Sequence, residues 1–298
     1  MIDFQNDEKH SIGVSISGHL DYKIRGPKRT QMIFNKNKNI KEFLHNDNEN
    51  EFEQYDPQVG HKYLNKLLKN YNLEYFIHTW SIGKQKDILQ TYNPIKFLCE
   101  KQIFFPFELE PYGIIEKDSN IDNWKISSNA KLGYKYWWES RKKENSSYDF
   151  EDFLNEIRIQ VFRTTSRYYS LSKSIDLALN YKKKYQFYLV TRFGTNFSFF
   201  WKFDIKQLSK NIIYCEKRLN RIDENIAIND MWFLTDYNGL EILKKIYDDR
   251  FDYSTRPPFA FREHFDKYKL NLKLIDPQNI TSFYGKAKTK IKSLLIKI

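Results

Sequence analysis

The chain has 298 residues, of which 41% are hydrophobic and 17% aromatic, and its 49 Lys and Arg against 38 Asp and Glu leave a formal charge of +11. That length suits one large α/β domain or two small ones, with a core well supplied by Phe and Tyr. No apolar run reaches the roughly 18 residues of a membrane span, and the opening MIDFQNDEKH lacks a secretion signal, so a cytoplasmic protein is expected.

The charge points to an anionic ligand, whether nucleic acid, lipid or phosphate, without choosing one. Part of the Lys excess also reflects the Lys, Asn, Ile, Tyr and Phe bias that AT-rich coding produces. Cys99 and Cys215 lie in apolar strand-like runs and read as buried free thiols. There is no internal repeat, heptad run, zinc-spaced Cys/His set, nucleophile elbow, HExxH or kinase signature.

In chain order, residues 11–17 (SIGVSIS) form a short alternating strand ending at Gly18 and His19. A basic loop follows, with Lys23, Arg25, Lys28 and Arg29. A strand that ends in Gly and opens into cations suits phosphate, although no GxGxxG or Walker pattern is present and a solvated loop fits too. Helices are predicted over 31–44 and 61–70, with a polar acidic stretch at 47–60 between them. LEYFIHTW at 73–80 is a buried strand ending in His78, Thr79 and Trp80, which either frame a base or sugar ring or hold His78 as a structural residue bonded to a backbone group. A helix at 84–92 and a strand at 95–99 complete a βαβ-type beginning, which argues for parallel pairing.

Residues 104–148, with Pro106, Pro111, Trp124, Trp137 and Trp138, read as an irregular or helical insertion lining a cleft. Residues 149–184 are the clearest helical region, as one helix or two. Asp149 and Asp152 are placed to cap it, and Arg158, Arg163 and Arg167 lie along it. The apolar run within YQFYLVTRFGTN at 185–196 is a central strand ending in Arg192, Phe193 and Gly194. A guanidinium there is costly unless it meets an anion, supplied by a ligand or by a neighbouring acid. An edge strand at 197–201 and a strand at 211–216 follow. IAINDMWFLTD at 226–236 sets Asn229 and Asp230 before another strand, where a carboxylate serves as general base, sugar ligand or turn cap. A helix at 238–250, a break at Pro257-Pro258 and FAFREHFDKY at 259–268 lead to a Lys-rich amphipathic end at 286–298. That end fits either an anionic bilayer surface or a packed terminal helix.

Four segments in this order, SISGHL at 15–20, YFIHTW at 75–80, YLVTRFG at 188–194 and INDMWFL at 228–234, resemble bacterial capsule and lipopolysaccharide sugar transferases with a GT-A-like fold. The resemblance implies one domain over 1–298, a Rossmann-type, mostly parallel α/β sheet flanked by helices. Its parts would be a nucleotide-binding portion at 1–103, an insertion with helices at 104–184, and the central strand and acceptor side at 185–298. It places Gly18, His19, His78, Trp80, Arg192, Gly194 and Asn229 around a nucleotide-sugar. The family's Arg after SGHL is Asp21 here, which leaves Arg25, Lys28 or Arg29 to substitute. It makes Asp230 the catalytic residue; Arg262 and His264, beside Glu263 in FAFREHFDKY, are the candidates for the acceptor or diphosphate side. Where relatives carry an acid two positions after the strand-end Arg, this chain has Gly194, so the usual carboxylate for Mg²⁺ or Mn²⁺ is missing. Either metal is dispensable and Arg192 neutralises the leaving group, or Asp204 or Asp230 serves.

The expected activity is therefore glycosyl transfer from a nucleotide-sugar to a capsular polysaccharide or lipo-oligosaccharide acceptor at the inner membrane face. The alternative is a non-catalytic glycan-binding or assembly module. Nucleic acid is not an expected partner, because the basic residues are scattered and match no binding motif.

Overall fold

The computed structural model describes residues 11–18, 57–103, 105–106, 108–193, 195, 208–216 and 228–275. The helix expected at 31–44, the strand at 197–201 and the Lys-rich end at 286–298 lie outside these residues. The strands are β1 (Ser11–Gly18), β2 (Asn72–Thr79), β3 (Lys96–Cys99), β4 (Tyr188–Arg192), β5 (Ile212–Glu216), β6 (Trp232–Thr235) and β7 (Asn271–Ile275). The described α-helices are α1 (Pro57–Leu67), α2 (Gln85–Tyr92), α3 (Ser128–Glu144), α4 (Phe150–Leu179), α5 (Tyr237–Lys244) and α6 (Pro257–Lys267).

The strands make one seven-stranded sheet in the order β3-β2-β1-β4-β6-β5-β7. All neighbours pair parallel except β6, which is antiparallel to both β4 and β5. The expected α/β class and mostly parallel sheet are thus present. β7 was not anticipated, and residues 149–184 hold a single long helix.

β1 is buried on both faces rather than half-exposed as its alternation suggests. Ile12, Val14 and Ile16 join Leu64, Ile88 and Leu189 in a core beneath α1 and α2. The intervening Gly13, Ser15 and Ser17 face the opposite layer, and a Cβ on Gly13 would lie 2.7 Å from the Tyr188 ring. Small residues on that face let the second layer approach closely, as a parallel strand covered on both sides requires. That layer packs Leu171 and Ile175 of α4, Leu240 of α5 and Phe261 and Phe265 of α6 on Val190 and Phe233.

α4 is the spine. Its 30 residues span about 45 Å at 1.5 Å per residue. The start is a reciprocal capping box: the Asp149 carboxylate accepts from the Asp152 N–H at 2.8 Å and that of Asp152 from the Asp149 N–H at 3.3 Å. The first half of α4, Phe153 to Val161, packs with Trp124 and Tyr134 in the core of the insertion. The second half lies on the sheet, so residues near its middle stand where the insertion meets the strand ends. Pro257-Pro258, expected as a break, instead begins α6, where a missing N–H costs nothing.

Candidate functional site

The chain steps from β1 to β2 and β3 on one side, and β4 then pairs on the other side of β1. In open α/β sheets a ligand sits beyond the carboxyl ends of the strands where the order reverses, here between β1 and β4. Ser17 pairs with Arg192, so the ends of these two strands are adjacent. Thr79, Cys99 and Glu216 end β2, β3 and β5 on the same edge. Because β6 runs the other way, its beginning lies there as well, with Trp232 opposite Thr191. One edge therefore gathers Gly18, His78, Trp80, Arg192, Asn229 and Asp230 from four distant parts of the sequence.

Gly18 is fixed from two sides. Its N–H donates to Ser170 Oγ of α4 at 2.9 Å, and its carbonyl accepts from Thr79 Oγ1 at 3.0 Å. Ser170 Oγ also meets His78 Nδ1 at 2.7 Å, and His78 Nε2 lies 2.8 Å from Glu100 Oε1. One proton arrangement satisfies every group: Ser170 accepts from Gly18 and donates to Nδ1, and Nε2–H donates to the Glu100 carboxylate. Burial pushes the His78 imidazole below its ordinary value, which keeps it neutral, although Glu100 acts the other way. His78 is thus bonded to side chains that position the end of β1.

Gly18 has φ +111°, with open space where a Cβ would be. Gly18→Ala is therefore expected to cost about 1–3 kcal/mol through backbone strain alone. A chemical melt checks this; an unchanged midpoint would show that the backbone there relaxes freely.

Beside His78 lies an aromatic group. Trp80 is edge-on to His78 at 4.7 Å between centroids and stacks on Tyr169 of α4 at 5.3 Å and 22°. Phe105, Phe162 and Tyr247 close the cluster. Trp80 is 5% exposed, so it serves as a wall of the site rather than a platform standing free in it.

Across the switch point, Arg192 reaches Met231 Sδ with Nη2, and its charge acts on Asp230. The direct partner of Asp230 is Arg167 of α4. Its Nη1 binds the carboxylate and its Nη2 donates to the Asp230 carbonyl. Burial alone would raise the Asp230 carboxyl, but Arg167 and Arg192 outweigh it and hold the group below the usual carboxylate range. Asn229 forms the turn into β6: its Oδ1 accepts from the Met231 N–H at 3.2 Å, and its Nδ2 donates to Glu216 Oε2 at 2.9 Å.

One assignment on α6 is altered. His264 is fully buried, with Nε2–H donating to the Ile242 carbonyl at 2.8 Å and Nδ1 facing the Tyr253 hydroxyl at 2.9 Å. It belongs to the core under α5 and not to an acceptor surface. Arg262 pairs with Asp266 at 3.1 Å on the outer part of the helix, although its charge reaches Cys215.

Burial lowers the His264 imidazole from 6.5 to about 4. Between those values the unfolded chain is protonated at this residue and the folded chain is not. Its contribution is complete above 6.5 and is lost as the pH falls to about 4, a loss of about 3 kcal/mol. His78, also lowered, acts in the same direction. Urea midpoints should fall across this interval, and fall less in His264→Asn; equal slopes would contradict the assignment.

His19, Arg25, Lys28, Arg29, Gly194 and Asp204 lie outside the described residues. No group of three or more His, Cys, Asp or Glu is placed to hold a metal ion among the described residues. The edge acids are each engaged, Glu100 with His78, Asp230 with Arg167 and Glu216 with Asn229. Among the described residues, then, no ligand set for Mg²⁺ or Mn²⁺ is assembled. Neither cysteine is in a disulfide; Cys215 is buried as expected, but Cys99 is only half-buried. Among the described residues no helix is long and apolar enough to cross a membrane.

Glu100, Arg167, Ser170 and Glu216 also belong to this edge, and only Arg167 was singled out by the sequence. Ser170 follows Arg167 by one helical step, so both reach the same side of α4. No known protein family, curated protein or solved structure matches the chain.

Proposed function

We propose that the chain is a nucleotide-sugar-dependent glycosyltransferase with a GT-A-like fold, which binds its donor at the β1/β4 strand ends. The observation that carries this reading is the convergence of Gly18, Arg192 and the Asn229-Asp230 turn at the switch point of the sheet. In this reading the diphosphate lies beside Arg192, whose guanidinium stabilises the negative charge that grows on the leaving nucleotide. The bonded set Gly18–Ser170–His78–Glu100 fixes the end of β1 against the nucleotide. Trp80 and its aromatic neighbours exclude water from that side. Asp230, held by Arg167, is fixed to accept hydrogen bonds from sugar hydroxyls. The acceptor is a capsular or lipo-oligosaccharide glycan, free or lipid-linked, met at the membrane face.

A second reading, a non-catalytic glycan-binding module, draws support from the same ion pair, because a carboxylate already neutralised by Arg167 is a weak base. A thermal-shift screen against UDP, GDP, CDP, dTDP and their sugars, with and without Mn²⁺, separates the two. A ligand that binds only the folded state raises the melting temperature by mass action. The transferase is expected to shift with one base. Flat curves at millimolar ligand would favour the module.

A further inference from the structure

Two carboxylates flank the Asn229 turn, and their surroundings differ. Asp230 is held by a cation through both its side chain and its main chain. Glu216, at the end of β5, is held by neutral donors. Its Oε2 accepts from Asn229 Nδ2 at 2.9 Å, the Trp232 side chain donates to it, and its main-chain carbonyl accepts from the Asn229 N–H at 3.3 Å. Among the described residues it makes no ion pair.

Resting on the transferase reading, we propose that Glu216, and not Asp230, is the residue that takes the proton of the acceptor hydroxyl.

Placement supports this. β6 separates β4 from β5, so at about 4.8 Å per strand the ends of β4 and β5 stand about 10 Å apart. A donor whose diphosphate meets Arg192 would reach across the start of β6 for its sugar to approach the Glu216 carboxylate. Glu216 is half-buried, and two neutral donors leave lone pairs on its oxygens for a further proton. Among the described residues, the charged groups nearest this corner are Asp230 before β6, Arg167 of α4 and Arg192 of β4 that act on it, and Arg262 of α6. The last is felt at neighbouring Cys215. Burial raises the Glu216 carboxyl above its ordinary value, with Trp232 acting the other way, whereas the Asp230 carboxyl is lowered. Two acids driven apart by their environments divide into proton acceptor and fixed anion.

In the step, the acceptor oxygen attacks the anomeric carbon and a new C–O bond forms. The bond from that carbon to the β-phosphate oxygen breaks, and its electron pair leaves with the nucleoside diphosphate. The hydroxyl proton passes to the Glu216 carboxylate and then to water, and the anomeric centre is inverted.

The test uses the full chain with the nucleotide-sugar that the thermal screen selects, comparing wild type, Glu216→Gln, Glu216→Asp and Asp230→Asn. Nucleoside diphosphate binding is measured by calorimetry and kcat by product formation across pH. Glu216→Gln should bind the diphosphate within about 3-fold of wild type, lose kcat by about 100-fold or more, and lose the acidic limb of the kcat profile. Glu216→Asp should recover part of the rate, and it carries the test alone if the Gln variant does not fold. Asp230→Asn should keep the acidic limb. Near-normal kcat with that limb intact in Glu216→Gln, or its loss in Asp230→Asn instead, would overturn the proposal while leaving the transferase intact. Wild-type protein that binds no nucleoside diphosphate and turns over no donor would remove the transferase reading, and this assignment with it.

Discussion

Arg167→Ala is expected to destabilise the fold by about 3–5 kcal/mol, the usual cost of removing one member of a buried ion pair. Side-chain exposures of 13% for Arg167 and 14% for Asp230 justify the buried value over the smaller one for surface pairs. Most of the loss comes from leaving the Asp230 carboxylate dry and without its main partner. Asp230→Asn in the same background should therefore restore part of the stability. The pH dependence has a definite sign. Asp230 is depressed in the folded state, so its stabilisation is complete above the ordinary carboxylate range and is lost as the pH falls toward the lower folded value. Arg167→Ala should weaken this acid dependence, since Arg167 is the main cause of the depression. Urea unfolding at neutral and acid pH checks both statements. A variant as stable as wild type at neutral pH would show that the carboxylate finds another partner.

Arg192→Ala should act on binding instead. Charge-assisted hydrogen bonds contribute about 1.5–3 kcal/mol, so nucleoside diphosphate affinity should fall by about 10- to 100-fold. Arg192 is half-buried at a strand end, and the direct partner of Asp230 is Arg167, so the fold should lose far less than it does in Arg167→Ala. Calorimetric titration of both proteins measures the ratio. An unchanged dissociation constant would remove Arg192 from the diphosphate site.

The strands β1, β2 and β4 were legible because runs such as SIGVSIS and YLVT have no better use than a covered sheet. The start of α4 was legible because two acids three residues apart form a cap whatever surrounds them. β7 was missed because NLKLI offers two leucines split by Lys273 and is partly exposed at the sheet edge. Pairing with β5 makes it a strand, and no local pattern reports that. The antiparallel direction of β6 was likewise hidden, since side-chain alternation is the same in both directions.

His264 was placed at the site because it stands beside Arg262 and Glu263. The better signal was helical spacing: Phe261, His264 and Phe265 fall on one face, and that face is buried. Ser170 and Arg167 were harder still. Serine in a helix is ordinary, and only the fold brings this one to Gly18 and His78, 152 and 92 residues away. The strand-end motifs therefore indicated which edge of the sheet carries the chemistry, and the helix residues that hold those motifs in place emerged only from packing.

The most direct test of a nucleotide site at the β1/β4 ends is hydrogen–deuterium exchange with and without saturating nucleoside diphosphate. Slower exchange should appear in peptides covering β1, the end of β2 at His78 to Ser81, and the end of β4 around Arg192, with β7 unchanged as the internal reference. Protection confined to other peptides, at a concentration shown by calorimetry to saturate, would place the ligand elsewhere and contradict the site described here.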